Sequence, residues 1–259
     1  MKKQLYIVKI GGNCIDNPNE LDTFLENFAR LSAPKILIHG GGKIATQISQ
    51  KLGIVSKLVE GRRITSKEEL EVVTMVYAGL INKKIVATLQ SKNCNALGLS
   101  GADGNTILAK KRPVKTIDYG FVGDIEEINT EIIDFLLQKN TIPVFSAITH
   151  NKKSILLNTN ADTIASSLAV ALSQNYETTL IYCFDKKGVL KDTEDENSII
   201  SILKFQEYEE LKKQEIIYQG MIPKLDNCFD ALQKGVQKVI ISNIDFIKNT
   251  DLPHTEILL

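Results

Sequence analysis

Twice within its first 43 residues the chain runs a short apolar stretch straight into glycines. Leu5-Tyr6-Ile7-Val8-Lys9-Ile10 meets Gly11-Gly12-Asn13, and Lys35-Ile36-Leu37-Ile38-His39 meets Gly40-Gly41-Gly42-Lys43. Each stretch reads as a strand, and each loop leads toward a helix. A loop without Cβ atoms lets backbone N–H groups close on a ligand, and a loop that opens a helix adds the positive end of the helix dipole. The pattern predicts an anion site. Lys9 at the end of one strand and Lys43 just beyond the other loop make phosphate or carboxylate the expected anion, and phosphoryl transfer the expected chemistry.

The alternation continues along the chain. Leu21, Phe24, Leu25, Phe28 and Leu31 recur at helical spacing after Asn17-Pro18, and Ile44, Ile48 and Leu52 form a second stripe closed by Gly53. Ser66 with Glu69 reads as a capping box for a long helix reaching about Leu89. Short strands follow at 96–99 and 107–110 around the turn Ser100-Gly101-Ala102-Asp103-Gly104, then a hairpin-like excursion over 113–128, a helix over 130–139 and a buried strand over 142–145. A strand over 154–158, a helix over 161–172 and a strand over 178–183 precede a helix over 221–234, stopped by Gly235, and a strand over 238–242. Helices set between strands predict an α/β fold with a mainly parallel sheet. Ser173-Gln174-Asn175-Tyr176-Glu177 punctuates the series and divides an N-terminal lobe, 1–175, from a C-terminal lobe, 176–259.

Composition narrows the partners. Lysine plus arginine (31) equals aspartate plus glutamate (31), so no overall basic field recruits nucleic acid or an anionic membrane. Met1-Lys2-Lys3-Gln4 leads directly into a strand too short for a signal-peptide core, and no uninterrupted apolar run approaches the ~18 residues of a membrane span. A cytoplasmic protein with small-molecule substrates is expected. Cys14, Cys94, Cys183 and Cys228 lie far apart without metal-ligand spacing and read as reduced, mostly buried thiols.

Two further segments carry polar groups where helices begin. Asn158-Thr159-Asn160-Ala161-Asp162 joins a strand to a helix, and its asparagines and aspartate suit plain capping as well as ligand binding. In Gln219-Gly220-Met221-Ile222-Pro223-Lys224, Pro223 suits the start of a helix, which leaves Lys224 in a first turn where its charge opposes the dipole. A bound anion would remove that conflict, and so would ordinary solvation.

Val8 to Asn13, His39 to Gly42, Gly61-Arg62-Arg63-Ile64-Thr65, Val72 to Val76 leading to Asn82-Lys83, Asn158 to Asp162, and Gly220 to Lys224 together resemble the amino acid kinase family, in order and at similar separations. The resemblance implies a three-layer αβα sandwich around a central, mainly parallel sheet. It also implies transfer of the γ-phosphoryl of ATP, with Mg2+, to the side-chain carboxylate of N-acetyl-L-glutamate, a step in arginine biosynthesis. Lys9 and Lys224 would stabilise charge on the transferring phosphoryl, and Gly11, Gly12, Gly41 and Gly42 would supply N–H groups around it. Asp162 would orient the two lysines, and Arg63, Asn158 and Asn160 would hold the acceptor's α-carboxylate and acylamide. Asp185 and the Lys187-Gly188 turn would lie near the nucleotide, with no resident metal cage. The N-terminal lobe would bind the acyl amino acid and dimerise, and the C-terminal lobe would bind ATP. Arginine-inhibited members carry an extra N-terminal helix, whereas here the first strand begins at Leu5, so the implied state is a homodimer insensitive to arginine.

The physical demands agree. A glutamate carboxylate with a pKa near ~4.3 is already ionised at neutral pH, so the reaction needs fixed cations and N–H dipoles rather than a general base. His39, between an apolar strand and glycines, reads as structural. Thr149 stands where the family usually has glycine, Gln219 replaces the first glycine of a pair, and the usual glycine-threonine ending is missing, departures expected to fall mostly in or near the nucleotide lobe. Arg62 stands where leucine is common, and a second guanidinium beside Arg63 would suit an N-succinyl group. The competing readings are therefore an N-succinyl-L-glutamate kinase and a non-catalytic nucleotide sensor on the same fold.

Overall fold

The computed structural model describes residues 2–59, 62–192, 194–217 and 221–259. Gly61 and Gly220, which carry part of the resemblance, and Gln219, which departs from it, lie outside the described residues.

The opening strand β1 (Lys3–Ile10) buries Leu5, Ile7, Val8 and Ile10, covered on both faces as a central strand must be. Its glycine loop starts α1 (Gly12–Asp16), and Asn17 caps α2 (Pro18–Arg30), which turns Phe24, Leu25 and Phe28 inward. The second unit is β2 (Lys35–His39) followed by α3 (Gly42–Lys51). There the expected stripe holds only in part: Ile44 and Ile48 pack against the core, but Leu52 is exposed and Ala45 and Ser49 are the buried positions.

A small antiparallel pair, β3 (Lys57–Val59) and β4 (Arg62–Ile64), leads to a helix that is continuous from Lys67 to Ser91. It comprises α4 (Lys67–Thr74), a π-helical stretch Met75–Ile81 and α5 (Asn82–Ser91). By length and hydropathy this helix could cross a bilayer, yet Val72, Val73, Val76, Ile81, Ile85 and Leu89 are buried in the protein core.

The middle of the chain holds β5 (Ala96–Leu99), β6 (Ile107–Lys111), β7 (Gly123–Ile128), α6 (Glu131–Gln138), β8 (Ile142–Ser146), β9 (Ile148–His150), β10 (Leu156–Asn158) and α7 (Ala161–Leu172). The strands on either side of the Ser100–Gly104 turn part company: β5 pairs with β8, and β6 pairs with β7 and β9. The last third adds β11 (Tyr176–Cys183), β12 (Ile202–Lys204), α8 (Phe205–Lys213), α9 (Ile222–Gln233), β13 (Lys238–Ser242) and β14 (Thr255–Leu258). The series expected from the sequence does not include β12, α8 or β14.

Eight strands form the main sheet in the order β12-β14-β13-β11-β1-β2-β8-β5, parallel except between β13 and β14. A second sheet, β10-β9-β6-β7, stands beside it. Helices α7 and α9 pack over β1, β11, β13 and β14, while α5 lies on β5 and β8 and pairs with α2. Because β11 is hydrogen-bonded to β1, the main sheet runs unbroken through the expected boundary at 173–177. All four cysteines are free and buried.

Candidate active site

The two glycine loops lie side by side because β1 and β2 are parallel neighbours in register, with Ile10 opposite His39. Neither α1, α3 nor α9 has a side-chain cap, whereas α2, α4 and α7 are capped by Asn17, Ser66 and Asn160. The first N–H groups of α1 and α3 thus donate to no side-chain cap, and Gly12 and Gly42 occupy their first positions. Gly11 departs from expectation: its N–H donates to the Cys183 carbonyl at 3.0 Å, extending the β1–β11 ladder, so it has no N–H to give an anion.

Gly41 has φ of +145°, and a Cβ there would collide with Ile81 and crowd the Tyr77 ring. The π-helical stretch brings those two side chains against the loop, so the glycine is required by conformation and by close approach. His39 is fully buried, with Nδ1–H donating to the Gly40 carbonyl at 2.9 Å and Nε2 accepting from Asn82 Nδ2 at 3.0 Å. Burial pushes its pKa down to about 4, and a neutral imidazole braces the loop, as expected of a structural histidine.

On the α7 and α9 face, Lys9 Nζ lies 2.8 Å from Asp162 Oδ1, both side chains being largely buried. Lys224 Nζ sits 3.8 Å from the centroid of the Phe184 ring, and Lys9 Nζ is 5.0 Å from the same centroid. Asp162 was expected to orient both lysines, but its ion pair is with Lys9, and the group in contact with Lys224 is aromatic. Burial lowers the Lys224 pKa, with the Asp162 charge opposing that shift and the Lys9 charge adding to it.

Arg63 is buried, and its terminal nitrogens donate to Ser56 Oγ at 2.7 Å, Glu69 Oε2 at 3.0 Å, the Gly42 carbonyl at 2.8 Å and Thr46 Oγ1 at 2.6 Å. The guanidinium expected to hold a substrate carboxylate grips Glu69 and the opening of α3 in this structure. The capping box is half formed for the same reason: Ser66 Oγ accepts from the Glu69 N–H, but the Glu69 carboxylate turns to Arg63 and Ser56. Asn158 donates to Thr65 Oγ1 at 3.0 Å, and Asn160 accepts from the Thr163 N–H as the cap of α7. Arg62 is exposed.

Asp185 is exposed and accepts from Asn13 Nδ2 at 2.6 Å, tying the first glycine loop to the turn after β11. Lys187 is also exposed, but Gly188 is buried, and a Cβ there would press on Thr255 and Ile199, so packing accounts for that glycine. Thr149 lies in the second sheet, 2.7 Å from Thr159 Oγ1 and filling the space beside Gly123. A separate cavity lined by Gln4, Tyr6, Thr179, Ile181 and Lys238 lies on the opposite face of the sheet from Lys9 and Tyr182 and contains none of these groups.

Residues 4–243 match the family model described as the amino acid kinase family. The chain belongs to the amino acid kinase family. Among relatives, it is 55% identical over 240 residues to the acetylglutamate kinase of Cytophaga hutchinsonii, covering 92% of this chain and 91% of that one. It is 50% identical to the acetylglutamate kinase of Phocaeicola vulgatus, covering 93% and 94% of the two chains. Among solved structures, smu.665 of Streptococcus mutans superimposes with a TM-score of 0.81 at 26% identity, with 99% of each chain covered. The amino acid kinase fold thus agrees with the expected three-layer arrangement around a mainly parallel sheet.

Sequence reasoning missed Glu69 as the partner of Arg63, Tyr77 and Ile81 as the wall against Gly41, and Phe184 as the platform under the lysines. Glu69 was visible only as a capping residue. Phe184 follows an apolar strand and gives no periodic signal of its own.

Proposed function

We propose that the protein transfers the γ-phosphoryl group of MgATP to the side-chain carboxylate of N-acetyl-L-glutamate, giving N-acetyl-L-glutamyl 5-phosphate in arginine biosynthesis. The observation that carries this reading is the meeting of Lys9 and Lys224 over one ring, with Asp162 behind Lys9. The names and high identity of the relatives support it. In the step itself a carboxylate oxygen attacks the γ-phosphorus, the bond to the bridging oxygen breaks and ADP leaves. No proton moves, so no general base is needed, and the neutral, inward-facing His39 is not asked to serve as one.

What the protein must supply is relief of anion–anion repulsion. Lys9 and Lys224 supply charge on one side, and the open N–H groups at Gly12 and at the start of α3 supply dipoles on the other. Gly41 lets the second loop approach closely. Arg63 fixes that loop through the Gly42 carbonyl, and with Asn158 and Asn160 it forms the acceptor's end of the site. Asp185 and Lys187 stand at the nucleotide's end. Among the described residues no group of three or more metal-ligating side chains occurs, and magnesium carried on the nucleotide's phosphates requires no such cage. The ion supplies charge neutralisation on the transferring group when bound.

In this reading residues 1–175 bind the acyl amino acid and dimerise, residues 176–259 bind ATP, and the enzyme is a cytoplasmic homodimer. The exposed Leu52, Val55 and Leu58, in the segment that runs from the end of α3 into β3, support a second copy as their cover. The deciding assay incubates protein, MgATP and N-acetyl-L-glutamate with hydroxylamine, which converts the acyl phosphate to a coloured hydroxamate. N-succinyl-L-glutamate and carbamate serve as rival acceptors. Absence of hydroxamate from N-acetyl-L-glutamate overturns the assignment.

A further inference from the structure

Lys224 is a buried cation in an unfavourable place. It is the third residue of α9, where the helix dipole repels positive charge, and among the described residues it makes no ion pair. The charged and titratable groups around it are Lys9 on β1, Asp162 on α7, Asp185 after β11 and Cys228 one turn along α9. What it touches is the Phe184 ring.

That ring is held by both strands beside it. Lys9 pairs with Tyr182 in the parallel register, and the two-residue period brings Phe184 to the same face as Tyr182. The Phe184 ring stacks on the Tyr182 ring at 5.8 Å and 10°. Tyr182 is 2% exposed and donates from its hydroxyl to the Asp162 carbonyl at 3.0 Å. The Phe184 N–H donates to the Ser242 carbonyl at 2.7 Å, fixing its backbone to β13. One aromatic ring is thus locked in place close to two lysines that otherwise repel each other.

We propose that Phe184 is a positioning residue, which holds Lys224 beside Lys9 in charged form and fixed geometry ahead of the phosphoryl group. The inference rests on the reading that these lysines meet the transferring phosphoryl. An aromatic face suits the task better than a carboxylate. A carboxylate would neutralise Lys224 and compete with the phosphate for it, whereas the ring's quadrupole steadies the cation and leaves its net charge intact. Leucine could fill the same space but offers no such face.

The test replaces Phe184 with mono-, di- and trifluorophenylalanine, which withdraw electron density from the ring with little change in shape, and with Leu and Trp. Two quantities are read in each variant. One is the titration of Lys224 in the substrate-free protein, followed by NMR of 13C-methylated lysines; the other is kcat for acyl phosphate formation. The expected result is a stepwise fall in both the Lys224 pKa and kcat with fluorine number, with Trp restoring both. Phe184→Leu should lower kcat roughly threefold to thirtyfold, with little change in KM. A titration that is flat across the fluorinated series overturns the proposal, even if Phe184→Leu is inactive through misfolding. A graded titration in a protein that forms no acyl phosphate upholds the role of the ring and overturns the functional reading instead.

Discussion

Arg63 and Lys224 both stand near the opening of a helix, and their surroundings differ in kind. Arg63 donates to Glu69, Ser56, Thr46 and the Gly42 carbonyl, so its charge and hydrogen-bonding capacity are largely met by the protein. Lys224 has an aromatic ring for its neighbour and makes no ion pair among the described residues. The first arrangement is that of a strut: a satisfied buried pair fixes the geometry of whatever it touches, here β4, α3 and α4. The second leaves charge available, and available charge is what a transferring phosphoryl group recruits. Lys9 falls between them, paired with Asp162 yet close to the shared ring.

The contrast can be broken from the strut's side. Removing one partner of a buried pair leaves the other charge uncompensated, so Glu69→Gln should cost about 3–5 kcal/mol of folding stability, read from denaturant titration. Replacing both members, Arg63→Met with Glu69→Leu, should recover a large part of that loss. If the single substitution is neutral, the pair is not a strut.

From the other side, Lys9→Ala and Lys224→Ala should each lower kcat by roughly 10²–10³, the loss typical of removing one preorganised group facing transition-state charge. Lys224→Ala should leave stability nearly unchanged, whereas Lys9→Ala should also destabilise the fold because it strands the largely buried Asp162. Steady-state kinetics with varied ATP and acceptor checks this. An effect confined to KM contradicts the assigned role.

Acidification sharpens the comparison at the loop that Arg63 braces. The folded-state pKa of His39 is about 4 against an ordinary value of 6.5, so the unfolded chain binds the proton more readily. The stabilisation is complete above pH 6.5 and is lost as pH falls from there toward 4, by about 3 kcal/mol in total. Stability curves at several pH values should show this slope, and His39→Leu should flatten it. Gly41→Ala, which forces a side chain into a positive-φ position against Ile81, should cost about 1–3 kcal/mol. The smallest effect is expected at the exposed Arg62: Arg62→Leu should change stability by no more than about 0.5 kcal/mol and leave the ratio of kcat/KM for N-acetyl- and N-succinyl-L-glutamate unchanged. A changed ratio would make Arg62 a reader of the acyl group.

Much of this was legible in the sequence because local patterns carry it. The strand and glycine units at 5–13 and 35–43, the helix at 161–172 and the buried strands at 142–145 and 178–183 have a period or a punctuation that few other folds would use. Where one residue serves two elements, the pattern misleads. Glu69 reads as a cap, Gly188 as part of a nucleotide turn and Gly11 as an anion ligand, and each is claimed by a neighbour distant in the chain. The π-helical stretch at Met75–Ile81 has the composition of an ordinary helix, and only its press against Gly41 shows why the extra width is there.

The sequence by itself determined the sheet's direction, the two glycine loops and the identity of the two lysines, because alternation, the absence of Cβ atoms and formal charge are properties of short segments. Only the tertiary structure decided which charges are met and which are left open. Parallel registry of β1 with β11 carries Phe184 to the face of Lys9, and packing of α9 over that face brings Lys224 onto the same ring. Residues 9, 184 and 224 have no local reason to meet. Their energetic coupling arises from burial and distance, which come into being only when the sheet and its helices close.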